Sequence, residues 1–112
     1  MLSQIKLINY YIFSLKPYLN LFKHTMIVDL EYCQKYIKNN KLNLRHICIT
    51  NLPENIGYLS QIIYLNLSEN KLTKLPESIG NLSQLKYLNI IHNKLTKSPK
   101  SIVNLLNCKI VC

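Results

Sequence analysis

Glycine is nearly missing from this sequence: Gly57 and Gly80 are the only two. A phosphate-cradling loop needs several glycines close together and is excluded, as is the glycine-flanked nucleophile elbow of a hydrolase. Acidic residues are almost as scarce. Five oppose fourteen lysines and arginines, for a formal charge of +9, and no two of them form the paired carboxylates of an acid–base site. Arg45 is the only arginine, tryptophan is absent, and the lysines are scattered over loops and return segments. Nucleic-acid binders cluster Lys and Arg with stacking aromatics, so this charge reads as solvated lysine rather than as a nucleic-acid surface. Long apolar runs are also lacking. The best stretch, within residues 1–15, runs for about nine residues, whereas a bilayer span takes roughly 20. No small-residue cleavage site follows before Lys16-Pro17, which argues against a signal peptide. The four cysteines contain no CxxC pair, so the default is a reduced, cytoplasmic (intracellular) protein. No catalytic residue, cofactor or metal is expected.

What the chain does have is a repeat. Residues 62–84, IIYLNLSENKLTKLPESIGNLSQ, and 85–107, LKYLNIIHNKLTKSPKSIVNLLN, agree at thirteen of 23 positions, and residues 39–61 agree with 62–84 at twelve. A unit this short cannot bury its apolar side alone, so neighbours must stack and share a core. Within the unit, Leu65 and Leu67 alternate with Tyr64, Asn66 and Ser68, which predicts a strand with one face inward. Leu75-Pro76 ends the extended run. Ile79 and Leu82 follow at i and i+3, closing a return turn at Gly80. Asn70 and Asn93 are read as structural: an amide there can satisfy buried backbone groups and pass hydrogen bonds from one repeat to the next.

The pattern LxxLxLxxNxLxxLPxxIGxL, carried by Leu65, Leu67, Asn70, Leu72, Leu75, Pro76, Ile79, Gly80 and Leu82, resembles the leucine-rich-repeat family, in the 23-residue subtype of intracellular Ras-associated scaffolds. The resemblance implies an α/β fold: a short right-handed β-α solenoid with a parallel concave sheet. It also implies a non-catalytic scaffold whose partners are proteins, small GTPases and signalling or host proteins among them. Residues 1–38 are read as an N-terminal cap that includes a degenerate first repeat, 16–38. Tyr18-Leu19-Asn20-Leu21 keeps the strand signature there, and Met26, Leu30, Cys33 and Ile37 trace a helical stripe. Residues 1–15 are read first as a capping helix, with an interfacial membrane helix or translation from Met26 as alternatives. Full repeats follow at 39–61, 62–84 and 85–107. Residues 108–112 begin a further strand, with Cys108 inward, Ile110 outward, Val111 in phase with Leu65 and Leu88, and Cys112 outward.

Departures are expected to matter. Ile47 replaces the ladder asparagine, so the ladder should break there, while Ser98 and Val103 weaken the return side of the third repeat. The strand edge at 108–112 calls for another chain, self-association, or a truncated relic. Stacking turns the outward strand positions into columns: Tyr18, Lys41, Tyr64, Tyr87 and Ile110; Asn20, Asn43, Asn66, Asn89 and Cys112; Arg45, Ser68 and Ile91. The expected partner-binding residues are Lys41, Asn43, Arg45, Tyr64, Asn66, Ser68, Tyr87 and Asn89, since tyrosine and arginine give orientable area and asparagine adaptable hydrogen bonding. A fourth column, His46, Glu69 and His92, has metal-like residue types, but no residue can be named to orient either imidazole. The leading function is a protein-interaction module. The alternatives are a decayed leucine-rich-repeat paralogue without activity and a basic membrane-surface or nucleic-acid binder. The sequence argues against membrane and nucleic acid as partners.

Overall fold

Alternation of leucine with polar residues produces four short strands in the computed structural model, which describes residues 28–112. They are β1 (Lys41–Asn43), β2 (Tyr64–Asn66), β3 (Tyr87–Asn89) and β4 (Lys109–Val111). All pair in parallel in sequence order, as one four-stranded sheet. Parallel neighbours need a crossover between them, and each repeat supplies one. The chain belongs to the α/β class by this arrangement, with one α-helix, α1 (Leu30–Tyr36), among the described residues. The readings placed on residues 1–27, including the capping helix and the Tyr18–Leu21 strand, lie outside the described residues.

The return segments correct the β-α expectation. They are 3₁₀ helices, at Ile56–Tyr58, Glu77–Asn81 and Lys100–Asn104. Residues at i and i+3 eclipse one another in a 3₁₀ helix, so the pair Ile79 and Leu82 faces inward without a full α-helical turn. Pro76 and Pro99 stand at the amino ends of the second and third of these helices in extended geometry, which suits their fixed φ and missing N–H.

The core is a set of columns. Leu42, Leu65 and Leu88 are fully buried behind the sheet, Leu44 and Leu67 lie beside them, and Ile56 with Ile79 and Leu59 with Leu82 close the far side. Burial falls off at the third repeat: Leu95 and Ile102 are half-buried and pack against the core from its margin. Ser98, standing where Leu75 is buried in the previous repeat, is exposed. Glycine marks where the return segments touch. A Cβ on Gly80 would stand 2.6 Å from the Ser101 Cβ, and one on Gly57 would stand 2.9 Å from the Asn81 Cβ. Val103 occupies the corresponding place in the third repeat and is 71% exposed, so no backbone among the described residues approaches it in that way.

Before β1, α1 begins at Asp29, whose carboxylate accepts a hydrogen bond from the Tyr32 amide at 2.8 Å. Asp29 is thus the N-cap of the helix. Of the helical stripe, Cys33 is completely buried and Leu30 and Ile37 are half-buried, with Ile37 the C-cap.

The last strand carries the largest correction. β1 to β3 keep a register of 23, with Lys41 beside Tyr64 and Tyr64 beside Tyr87, but Tyr87 pairs with Lys109, Leu88 with Ile110 and Asn89 with Val111. The fourth strand is slipped by one residue. A one-residue slip exchanges the two faces of a strand, so Ile110 turns to the core and Lys109 and Val111 face outward. The slipped register gives the inward place to isoleucine rather than valine, worth about 0.8 kcal/mol for the extra methylene. Cys108 still packs against the core margin, and Cys112 is exposed beyond the strand.

Candidate binding face

The outward side of the sheet is built from rows that cross the strands. The first row runs Lys41, Tyr64, Tyr87, Lys109. The two tyrosine rings lie parallel, 4.9 Å apart with 5° between their planes, which is the strand spacing itself. Each gives one ring face to the other, and both stay half-buried. Lys41 and Lys109 bracket the pair and are exposed, and neither has a carboxylate within 4 Å among the described residues.

The second row, Asn43, Asn66 and Asn89, does something the sequence reading did not see. In every repeat the asparagine Oδ1 accepts a hydrogen bond from the amide two residues on: Arg45 at 3.1 Å, Ser68 at 3.0 Å and Ile91 at 3.0 Å. These are Asx turns that end each strand. The next residue then takes a left-handed conformation: His46 at φ 55°, Glu69 at 57° and His92 at 56°. Asparagine three positions before a polar, non-β-branched residue was the available signal. Asn66 and Ser68 are also less accessible than expected, at 8% and 5% exposure. The Ser68 hydroxyl donates to Asn66 Oδ1 at 2.6 Å, and the Asn66 amide donates to the Tyr64 hydroxyl at 3.4 Å. Their polar groups are engaged inside the face, whereas Asn43 is exposed and Asn89 half-buried.

Charge on the face is arranged by one ion pair. Arg45 donates to Glu69 Oε1 from Nη2 at 2.7 Å and from Nε at 3.2 Å, and His46 Nδ1 stands 3.5 Å from Glu69 Oε2. The hydrogen bonds from Arg45 hold the Glu69 carboxyl below the usual carboxylate range, helped by the Arg45 charge and by His46 and His92. Arg45, Asn66, Ser68, Glu69, Asn89, Ile91 and His92 line a shallow open hollow of about 280 Å³. His46, Glu69 and His92 do not converge as ligands. No group of three metal-ligating side chains occurs among the described residues.

Beneath the face runs the asparagine ladder. Asn70 Oδ1 accepts from the Ile47 and Ile49 amides at 3.1 and 3.2 Å, and its Nδ2 donates to the carbonyls of Leu44 and Leu67 at 2.7 and 2.9 Å and of Ser68 at 3.2 Å. Asn93 Oδ1 accepts from the Leu72 amide at 3.0 Å, and its Nδ2 donates to Leu67 and Ile90 at 2.9 and 3.1 Å. Each amide thus ties its own repeat to the one before. Ile47, with no polar side chain, packs against the core instead, and its loop turns through a left-handed Cys48 at φ 60°. The return side has its own tie: Glu77 accepts from the Lys100 and Ser101 amides, each at 3.2 Å, which lowers its carboxyl below the ordinary range.

No helix among the described residues is long and apolar enough to cross a membrane. Among curated proteins, none matches the chain. A family model described as a leucine-rich repeat region matches residues 5–111. That match covers the repeats, the ladder and the outward rows together, and the chain belongs to the leucine-rich-repeat family.

Proposed function

We propose that this chain is a non-catalytic interaction module, a short right-handed solenoid of the 23-residue subtype, that holds a segment of a partner protein across the outward sheet face. Leucine-rich repeats generally mediate protein–protein interaction, and the observation that carries the reading here is the stacked Tyr64–Tyr87 pair at the middle of that face. Tyr64, Tyr87, Asn89, Asn43, Arg45 and Lys41 offer side chains to a partner. Asn66 and Ser68 serve by fixing Tyr64 and the strand end. With strands about 4.8 Å apart, the four-stranded face spans only a few hundred Å², against about 800 Å² per partner in a standard interface. The occupant is therefore a peptide-sized segment, bound weakly unless loops contribute. An intracellular setting agrees with four unpaired cysteines, and nothing in the face favours nucleic acid or membrane as the occupant.

The test is selection of binding peptides from a random display library against residues 1–112, followed by assay of the winners on a Tyr64→Ala/Tyr87→Ala variant. The stacked pair also supports the sheet by roughly 0.5–1.5 kcal/mol, so both proteins are compared well below their unfolding midpoints. Loss of binding to the variant is expected. Undiminished binding by every selected peptide would place the site elsewhere.

A further inference from the structure

The geometry points to an acidic partner segment: an extended peptide with carboxylates at positions i and i+4 and an apolar or aromatic residue at i+2, laid along the row Lys41–Tyr64–Tyr87–Lys109. This rests on the outward face being the binding face. The row became visible only through the slip of β4, which puts Lys109 where an unslipped strand would have put Ile110.

Three observations carry it. First, the charge is uncompensated. Glu69 is the only acid on the face, and it is taken up by Arg45 and His46. Among the described residues, Lys41 and Lys109 stand at the two ends of one row, both exposed and without a carboxylate within 4 Å. Second, the spacing is set by the sheet. Three strand steps of about 4.8 Å put the two lysine Cα atoms about 14 Å apart, and four residues of extended chain at about 3.4 Å each cover nearly the same distance. Residues i, i+2 and i+4 share one side of an extended chain, so two acids four apart meet the lysines while the residue between them meets the tyrosines. Third, Tyr64 and Tyr87 each give a ring face to the other. That leaves an apolar platform but a poor series of open stacking faces for bases, which favours peptide over single-stranded nucleic acid. The chain does not carry such a segment itself: its acids are Asp29, Glu31, Glu54, Glu69 and Glu77, and no two are four apart.

The experiment uses residues 1–112 and fluorescein-labelled Gly-Ser-Glu-Ala-Phe-Ala-Glu-Ser-Gly, followed by fluorescence anisotropy at low and moderate salt. Replacing both glutamates by glutamine should weaken binding at least tenfold, and so should moving the second glutamate by one residue, which turns it to the other side. Lys41→Gln and Lys109→Gln should each weaken binding threefold or more, while Lys74→Gln, away from the row, changes it less than twofold. Equal binding of the glutamine peptide overturns the inference, as does an equal effect of Lys74→Gln, which would indicate net charge alone. Tighter competition by a single-stranded oligonucleotide, or no saturable binding of the acidic peptide, also overturns it. Library-selected peptides that need Tyr64 and Tyr87 but carry no acidic pair would refute the acidic bracket and leave the binding face standing.

Discussion

Replacing Asn70 by alanine should be among the most damaging single changes in the sheet region, and the structure says why. The residue is 7% exposed, and its Oδ1 is the acceptor for two amides, Ile47 and Ile49. Its Nδ2 serves three carbonyls, of which Leu67 keeps a second donor in Asn93. Asn70→Ala removes the one acceptor that each of these amides has among the described residues. A buried donor left unsatisfied costs about 1–3 kcal/mol, so the two together cost about 2–6 kcal/mol, a large part of the 5–15 kcal/mol that stabilises a typical domain. Asn93→Ala strands one amide, Leu72, at a half-buried site, and should cost about 1–2 kcal/mol. Urea unfolding followed by circular dichroism measures both. With a slope near 1.5 kcal/mol per molar, a typical value, Asn70→Ala lowers the midpoint by about 1–4 M. A loss below about 1 kcal/mol, or a larger loss for Asn93→Ala than for Asn70→Ala, would refute the reasoning.

Other perturbations test other parts of the structure. Gly80→Ala pushes a methyl into the Ser101 backbone and Cβ and should cost about 1–3 kcal/mol by overpacking, whereas Val103→Gly, at an exposed site, should change stability by less than about 1 kcal/mol; both are read by urea midpoint. Cys33 is fully buried, and burial pushes its thiol up to about 12. In native protein an aromatic disulfide reagent should titrate Cys48 and Cys112 quickly, Cys108 slowly and Cys33 only on unfolding; rapid reaction of all four would contradict the packing around α1. Glu69 and Glu77 have folded-state pKa values below their ordinary ones. The folded state therefore holds fewer protons in acid, and their contribution is present above the ordinary glutamate value of about 4.3 and lost as pH falls through the lowered values. The melting temperature should decline below about pH 4.3, and Glu77→Gln should flatten part of that decline; an unchanged acid limb in the variant would remove Glu77 from the account.

The core was legible because every apolar position of the 62–84 repeat motif turns inward. Leu65, Leu67, Leu72, Leu75, Ile79 and Leu82 recur at fixed spacing and all are buried. What the period could not reveal is local. Ile110 and Val111 are both apolar and β-branched, so either one can turn inward, and the loss of one residue between Cys108 and the strand leaves no mark in composition. The i and i+3 pair at Ile79 and Leu82 fits a 3₁₀ turn as well as an α-helix, and only the backbone separates them. The outward asparagines were read by column, which makes them look available. Their Oδ1 atoms instead close Asx turns within each repeat, a local hydrogen bond invisible to a count of columns. Lys109, hidden by the unslipped phase, is the candidate-site residue that only the strand register exposes.

Amide hydrogen exchange on residues 1–112, with and without the tightest peptide selected from a display library, tests the binding face most directly. Slowed exchange at residues 41–45, 64–68 and 87–91, with little change at Ile56–Tyr58, Glu77–Asn81 and Lys100–Asn104, is the result this account predicts. Protection confined to those three return helices would contradict it and move the binding surface to the opposite side of the repeats.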